Sequence, residues 1–266
     1  MLYSVIENTD VRVSRISFGT ASLHHLFSRT RRQQLLATAA SSEISHFDTS
    51  PYYGYGLAES DLGTFLEGRR DAFTVATKVG LYPYAGGAHG ALGVWARKAA
   101  GKFYPRLSAP EVDWCVGRAA SSLDASLKRL KTDYVDFLFL HEPDIRLLNA
   151  DEFLRWVEVE RSKGKVRYWG LAGLPVLLAP WVQIDHPLAN VLQTRDDLAT
   201  RAADFVLQKG RQLQFTYGYL SARPRSGPVE AIDETVRSAL NRNIHGSILV
   251  STRRADRVKH LAEFGQ

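Results

Sequence analysis

The chain repeats one order of apolar and polar positions, in which a short apolar run precedes a longer stretch with helical spacing. Short apolar runs bounded by turn residues predict strands, and apolar positions three and four apart predict amphipathic helices. The run "VDFLFL" is almost entirely apolar, which is typical of a strand buried on both faces. Eight strands are predicted, at residues 15–19, 44–48, 73–78, 134–141, 166–173, 190–194, 212–220 and 246–251.

The predicted strand-then-helix units follow one another without a break in composition. Such alternation favours a parallel sheet, and eight units in 266 residues favour an α/β fold of the (β/α)8 TIM-barrel type over an open, doubly wound sheet. No Gly-x-Gly-x-x-Gly sequence follows the first strand, which argues against a dinucleotide-binding open sheet. We therefore predict one barrel domain spanning residues 1–266.

Local signals predict how the barrel begins and where two of its helices start and end. The N-terminal residues read as a β-hairpin that turns around residues 8–10 and closes the bottom of the barrel. A long helix is predicted over residues 109–130, with Ser108 as its N-cap. Another helix is predicted to begin after Asn149 and to end at Gly164.

Residues 81–108 form the longest predicted connection, and they hold tyrosines, a tryptophan, a phenylalanine and paired glycines. Loops of this length in a compact domain are usually functional lids or disordered segments. Aromatic side chains suit a lid over a ligand, and glycines suit its hinges. We predict a lid-like loop here, with a loosely packed insertion as the alternative.

Composition narrows the classes of function. Hydrophobic residues make up 45% of the chain and charged residues 23%, as in ordinary soluble globular proteins. The single cysteine, Cys115, allows no internal disulfide and favours a reducing, cytoplasmic location. The N-terminus does not read as a signal peptide, and no apolar run is long enough to span a membrane. The net charge is +6, but the basic residues are spread along the chain, so no nucleic-acid partner is expected.

Polar residues close four of the apolar runs, and a tyrosine lies just beyond one of them. Asp48, Lys78, His141 and Gln193 end or nearly end their strands, and Tyr53 follows Asp48 in the next loop. Each has an ordinary explanation alone, such as a turn-forming aspartate or a hydrogen-bonded core histidine. In a parallel barrel, however, all strand ends meet at one mouth, which is where catalytic groups lie.

The residue types predicted at this mouth suit proton transfer to a carbonyl group. If Lys78 lies between Asp48 and Tyr53, its positive charge is predicted to lower the pKa of Tyr53 and to make the phenol a better proton donor. His141 is then placed to orient the carbonyl by a hydrogen bond. The histidines have no metal-ligand spacing around them, so no metal is predicted.

Three motifs in these regions resemble those of the aldo-keto reductases. They are "DTSPYYGYGLAESDLG" at residues 48–63, "ATKVG" at 76–80 and "SLKRLKTDYVDFLFLH" at 126–141. The resemblance covers most of the chain and implies a barrel that holds NAD(P)H in an extended pose across its mouth. It implies that Tyr53 is the general acid/base. The catalytic set that it implies is Asp48, Tyr53, Lys78 and His141.

The same resemblance implies where the cofactor binds. Gln193 matches the anchor of the nicotinamide carboxamide, Tyr217 matches the aromatic residue under the ring, and Leu220 matches a pyrophosphate contact. Arginines at the start of the last helix form an anion site suited to a 2′-phosphate, so NADP(H) is favoured over NAD(H). Arg254 is expected to be solvated. The implied cofactor-binding residues are Gly19, Thr20, Asp48, Gln193, Tyr217, Leu220, Ser251, Thr252, Arg253 and Arg257.

One departure from the family pattern leaves alternatives open. Family members often have Ser-Asn after the fifth strand, whereas this chain has Ala172 and Gly173, so one amide anchor for the nicotinamide is missing. The predicted function is reduction of a small aldehyde or ketone, or the reverse reaction on an aldose or alcohol. The alternatives are a catalytically weak NADP-binding regulatory module and a hydrolytic barrel using Asp48 and Glu142.

Overall fold

The computed structural model describes residues 1–83, 110–221 and 230–266, and its strands follow the predicted order. The strands are β1 (Tyr3–Val5), β2 (Arg12–Ser14), β3 (Ile16–Gly19), β4 (His46–Asp48), β5 (Thr74–Val79), β6 (Leu81–Pro83), β7 (Pro110–Val112), β8 (Val135–His141), β9 (Val166–Gly173), β10 (Val191–Arg195), β11 (Phe215–Tyr217) and β12 (Ser247–Val250).

Helices connect the barrel strands and cover the outside of the sheet. The α-helices are α1 (Arg29–Ser41), α2 (Leu57–Leu66), α3 (Val116–Leu130), α4 (Ala150–Ser162), α5 (Pro175–Gln183), α6 (Asp204–Leu207), α7 (Glu230–Arg242) and α8 (Ala255–Glu263). Short 3-10 helices lie at Thr20–His25, Arg70–Ala72 and Pro187–Ala189.

Eight parallel strands close into a barrel in the order β3, β4, β5, β8, β9, β10, β11 and β12, with β12 pairing back to β3. The register brings Asp48 beside Gly19 and Ala76, and His141 beside Ala172. The predicted (β/α)8 fold is therefore confirmed. Because all eight strands run in one direction, their carboxyl ends share one rim, called the mouth below.

The N-terminal hairpin is confirmed, and it packs against the barrel interior. Strand β1 pairs antiparallel with β2, and Asn8 in the turn adopts a left-handed φ of 64°. Ile6, Val11 and Val13 are buried in one cluster with Phe137 and other side chains of the barrel strands. The hairpin thus covers the end of the barrel opposite the mouth.

The predicted caps of α4 are also confirmed. The side chain of Asn149 accepts a hydrogen bond from the backbone N–H of Glu152, which satisfies one of the unpaired donors at the helix start. Gly164 follows the helix with a φ of 76°, a left-handed conformation that favours glycine. Helix α5 forms even though Pro180 lies inside it.

The prediction of a helix over residues 109–130 is wrong at its start. Residues Pro110–Val112 form strand β7, which pairs antiparallel with β6, and the helix begins only at Val116. The backbone N–H of Asp113 donates to the carbonyl of Gly80, so this pairing uses the groups that a longer helix would need. The predicted cap Ser108 and residues 84–108 of the predicted lid lie outside the described residues.

The seventh barrel strand is shorter than predicted. It ends at Tyr217, because Gly218 adopts a φ of 112° and turns the chain away from the sheet. Among the described residues, no helix has the length and apolar character needed to cross a membrane.

Candidate active site

Predicted catalytic residues from separate strands and one loop meet at the mouth. Asp48 and His141 are the last residues of β4 and β8, and Lys78 is the penultimate residue of β5. They face a cavity of about 280 Å³. Its lining includes Asp48, Tyr53, Lys78, His141, Gln193 and Tyr217.

A buried ion pair forms the base of the cavity. The Nζ atom of Lys78 lies 2.5 Å from Oδ1 of Asp48 and 2.9 Å from the backbone oxygen of Thr49. Asp48 is 3% exposed and Lys78 is 2% exposed, so both charges are almost fully removed from water. Burial lowers the pKa of Lys78, and the carboxylate of Asp48 opposes that change. Each charge stabilises the other, since a buried charge persists only when it is neutralised and hydrogen-bonded.

Polar neighbours fix the position of Asp48. Gln193 Nε2 donates a hydrogen bond of 2.9 Å to Asp48 Oδ1, the oxygen that also accepts from Lys78. The Thr20 hydroxyl lies 3.1 Å from the backbone oxygen of Asp48 and 2.9 Å from Oγ1 of Thr49. Thr20 is fully buried and is not among the cavity residues, so its contacts support the strand end behind the cavity.

A glycine-containing turn carries Tyr53 to the same place. The backbone N–H of Tyr53 donates to the carbonyl of Ser50, and Gly54 and Gly56 adopt φ values of 62° and 88° before α2 begins. A Cβ atom on Gly54 would lie 2.4 Å from the Cβ of His24. Both space and backbone conformation therefore require glycine at position 54.

The Tyr53 ring lies between the lysine and the histidine. Lys78 Nζ is 4.9 Å from the centroid of the ring, within the range of a cation–π contact. The ring of His141 meets it edge to face, with centroids 6.1 Å apart and an interplanar angle of 89°. Tyr53 and His141 both line the cavity.

The prediction that Lys78 lowers the pKa of Tyr53 is wrong. Burial raises this pKa well above its usual value, and the negative charges of Asp48 and Glu142 raise it further. Tyr53 therefore holds its proton at neutral pH.

His141 is neutral and has an unused ring nitrogen. Burial lowers its pKa well below the usual value, and the positive charge of Lys78 lowers it further. Its Nδ1 atom is buried and has no hydrogen-bond partner within the described parts of the chain. Buried polar atoms are normally hydrogen-bonded, but among the described residues the core histidine His46 likewise has an unpaired ring nitrogen, Nε2.

The predicted cofactor-binding residues divide into two groups. Gly19, Asp48, Gln193, Tyr217 and Ser251 line the cavity. The remaining predicted positions do not line it, and they are Thr20, Leu220, Thr252, Arg253 and Arg257.

Three residues of the second group, Thr252, Arg253 and Arg257, lie at the start of α8. Thr252 is buried, and its Oγ1 accepts a hydrogen bond from the backbone N–H of Arg254. Arg254 is exposed and forms an ion pair with Asp256, in agreement with its predicted solvated position. Arg253 and Arg257 make no ion pair with any residue that the structure describes.

The sequence pattern does not predict that Glu142 lies beside the cavity. It was proposed only as a hydrolytic carboxylate, yet its carboxylate lies against Gly173, one of the cavity residues. Glu142 adopts a left-handed φ of 56°, which is uncommon outside glycine. The signal in the sequence was the pairing of an acid after the histidine strand with a glycine at the end of the next strand.

Within residues 1–83, 110–221 and 230–266, no group of three or more histidine, cysteine or acidic side chains has the geometry of a metal site.

Comparison with known sequences gives a family match over much of the chain. The model of the aldo/keto reductase family matches residues 15–191. The chain is 30% identical over 183 residues to L-galactose dehydrogenase of Arabidopsis thaliana, covering 66% of this chain and 49% of that protein. It is 30% identical over 177 residues to D-threo-aldose 1-dehydrogenase of a Pseudomonas species, covering 61% and 50%. The matched region thus spans about half the length of these curated relatives.

Solved structures share the fold at low sequence identity. A glycerol dehydrogenase from Gluconobacter oxydans superposes with a TM-score of 0.75 at 19% identity, covering 98% of this chain and 89% of that chain. The holo form of an aldo-keto reductase from Bacillus halodurans gives a TM-score of 0.74 at 20% identity, covering 99% and 90%. These likenesses extend the barrel over nearly the whole chain. The family model, which matches residues 15–191 and so more than half of the chain, shows that this chain belongs to the aldo/keto reductase family.

Proposed function

We propose that the protein is an NADP(H)-dependent oxidoreductase that interconverts a carbonyl group and an alcohol in a small molecule. The observation that carries the proposal is the meeting of a buried Lys78–Asp48 pair, Tyr53 and a neutral His141 at one cavity. Membership of the aldo/keto reductase family supports it.

The bound nicotinamide would supply or accept the hydride, and the side chains would handle the proton. In reduction, Tyr53 donates its hydroxyl proton to the carbonyl oxygen, which requires a protonated phenol. The raised pKa of Tyr53 keeps that proton in place. Lys78 then stabilises the phenolate that remains, and Asp48 holds the ammonium in position. The neutral imidazole of His141 donates a hydrogen bond that orients the substrate oxygen.

The cavity residues fit a nicotinamide. Gln193 commits its Nε2 to Asp48, which leaves its Oε1 available to accept from a carboxamide N–H. Tyr217 offers an aromatic surface in the cavity, and Gly19 leaves room where a side chain would narrow it.

The preference for NADP(H) is supported by the charges at the start of α8. Arg254 is already paired with Asp256, whereas Arg253 and Arg257 have no ion-pair partner in the described parts of the chain. Two available guanidinium groups beside a helix N-terminus suit a 2′-phosphate. Simultaneous replacement of Arg253 and Arg257 by alanine should weaken NADPH binding about tenfold or more and leave NADH binding nearly unchanged. Arg254→Ala is the matched control and should change neither affinity by more than about twofold.

We further propose that the substrate is a polyhydroxylated aldehyde or its cyclic form. The named relatives with matching sequence include L-galactose dehydrogenase, D-threo-aldose 1-dehydrogenase and, in Saccharomyces cerevisiae, D-arabinose 1-dehydrogenase. Their printed names share an aldose as substrate, which makes an aldose panel the first choice for this protein.

The decisive experiment combines a substrate panel with one tyrosine variant. Turnover of aldoses, aldehydes and ketones is followed by the absorbance of NADPH and NADH. Tyr53→Phe should lower the turnover number by about 10²- to 10⁴-fold, because it removes only the transferred proton. The dissociation constant for NADPH should stay within about twofold. The neighbouring Tyr52→Phe is the control, since Tyr52 does not line the cavity.

Two results would reject the proposal. Normal turnover in Tyr53→Phe would show that another group donates the proton. Tight NADPH binding without turnover of any carbonyl or alcohol would favour a regulatory, cofactor-binding role, for which the absence of a side chain at Gly173 is the motivating observation.

A further inference from the structure

Glu142 follows β8 and is hydrogen-bonded to the end of the neighbouring strand, β9. Its backbone N–H donates to the carbonyl of Ala172 at 2.7 Å, and its Oε2 atom accepts from the backbone N–H of Leu174 at 2.9 Å. These bonds hold the chain after β8 in the left-handed turn at φ 56°. The carboxylate is therefore placed by two bonds to the end of β9 and to the residue after it.

This carboxylate fills the space that a side chain at position 173 would need. A Cβ atom on Gly173 would lie 2.6 Å from Oε2 of Glu142 and 3.1 Å from its Cα atom. Gly173 does not adopt a left-handed φ, so its backbone conformation suits other residues. Glycine is required here because of the space that Glu142 occupies.

The position of Gly173 places the carboxylate beside the cavity. Gly173 and Ala172 line the cavity, together with Tyr53 and Tyr217. The negative charge of Glu142 raises the pKa of both tyrosines, although they lie on different elements. The charge of Glu142 therefore acts on two side chains that line the cavity, Tyr53 and Tyr217.

Glu142 also has no cationic partner of its own. Within the described residues, it forms no ion pair, and the nearby ammonium of Lys78 is bonded to Asp48. Burial raises the pKa of Glu142, while the hydrogen bond from Leu174 and the charge of Lys78 favour the ionised form. A half-buried carboxylate without a countercharge is costly, unless a ligand supplies the positive charge.

We propose that Glu142, whose carboxylate lies behind the cavity residue Gly173, acts through its charge on the nicotinamide end of the cofactor and selectively stabilises its oxidised, positively charged ring. The proposal rests on the proposed function of this mouth. The oxidised ring carries one positive charge and the reduced ring carries none, so a nearby carboxylate attracts only the oxidised form. The Glu142 carboxylate occupies the space that a side chain at position 173 would fill.

A purely structural role makes a different prediction. If Glu142 only binds the N–H of Leu174 before α5, then glutamine, which keeps an acceptor oxygen and nearly the same shape, should replace it without consequence. The charge is what separates the two roles. Glu142→Gln therefore tests the electrostatic part alone, and thermal unfolding checks that the variant remains folded.

The experiment measures dissociation constants by calorimetry for three ligands and three proteins. The ligands are NADP⁺, NADPH and 2′-phospho-ADP-ribose, which lacks the nicotinamide. The proteins are the unaltered chain, Glu142→Gln and Asp144→Asn, a control that removes the same net charge two residues away. We expect Glu142→Gln to weaken NADP⁺ binding about five- to tenfold, while NADPH and the fragment change less than about twofold. Asp144→Asn should change all three by less than about twofold.

Each other outcome overturns the proposal in a distinguishable way. Equal weakening of NADP⁺ and NADPH would show that Glu142 shapes the site without selecting the ring charge. No change for any ligand would leave only the structural role. Weakening of the fragment as well would place the effect away from the nicotinamide. If the unaltered chain binds none of the three ligands, the proposed function fails together with this inference.

Discussion

The two ends of the barrel each bury an aspartate against cationic side chains, but they satisfy it differently. At the closed end, Asp136 accepts from Arg70 and from the backbone N–H of Val75 through Oδ2, and from Arg167 through Oδ1. At the mouth, Asp48 receives Lys78 and Gln193 through the single atom Oδ1. The closed end thus uses both oxygens of its carboxylate in bonds to the protein.

The two ends also use different cations, with arginines beside Asp136 at the closed end and Lys78 beside Asp48 at the mouth. Arginine stays charged and forms several fixed hydrogen bonds, which suits a permanent network, and Arg167 also bonds to Asp10 in the turn of the N-terminal hairpin. Lysine is a compact charge whose pKa responds to burial. The closed end therefore stabilises the fold, while at the mouth Tyr53 and His141 line an open cavity.

The largest effect is expected from removing both charges at the mouth. Asp48→Asn combined with Lys78→Met should lower turnover by about 10³-fold or more, equivalent to about 4 kcal/mol, because the phenolate of Tyr53 loses its stabilising ammonium. Since replacing both members of a buried pair is often neutral for stability, the free energy of unfolding should change by less than about 1 kcal/mol. Steady-state kinetics and urea unfolding measure the two quantities. Retained turnover would remove Lys78 from the mechanism.

The second largest effect is expected at the closed end, where stability should fall and turnover should not. Asp136→Asn should lower the free energy of unfolding by about 3 kcal/mol, because Arg70 and Arg167 lose their shared carboxylate. The turnover number per folded molecule should stay unchanged, since this residue is not among those that line the cavity. A loss of turnover without a loss of stability would contradict the division between the two ends.

A smaller effect concerns pH and the histidine at the closed end of β4. Burial lowers the pKa of His46 from 6.5 to about 3. Between these values the unfolded chain binds a proton that the folded chain does not, so stability falls as the pH falls below 6.5. From pH 6.5 to pH 5 this residue should cost about 2 kcal/mol.

His46→Asn should remove that part of the pH dependence. Unfolding by urea at several pH values then gives a flatter curve on the acid side, even if the variant is less stable at neutral pH. Curves that run parallel for the two proteins would mean that His46 accepts a proton inside the barrel.

Much of the fold could be predicted from the sequence because its signals are local and repeated. The apolar runs that precede Asp48 and His141 identify buried strands, and polar residues at their ends identify the mouth. The glycines after Tyr53 predict a tight turn, which the structure contains. The start of α3 could not be predicted, because Pro110–Val112, which the sequence pattern assigns to the helix, pair with a strand that is nearly thirty positions earlier in the chain.

The electrostatics of the site were less predictable. The sequence places a lysine, an aspartate and a tyrosine near one another, but the pKa of Tyr53 depends on which group bonds to which. Burial is the largest cause of the raised pKa of Tyr53, and the charges of Asp48 and Glu142 act in the same direction. Glu142 was undervalued because its contact with Gly173 arises only when β8 and β9 lie side by side.

By itself, the sequence determined the order of strands and helices, the family motifs and the residues that reach the mouth, since these depend on short-range patterns along the chain. Only the tertiary structure decided the direction of the pKa shift of Tyr53, the unpaired state of His141 Nδ1 among the described residues and the contact between Glu142 and Gly173. These properties depend on burial and on distances between side chains from different strands, and a folded barrel sets both.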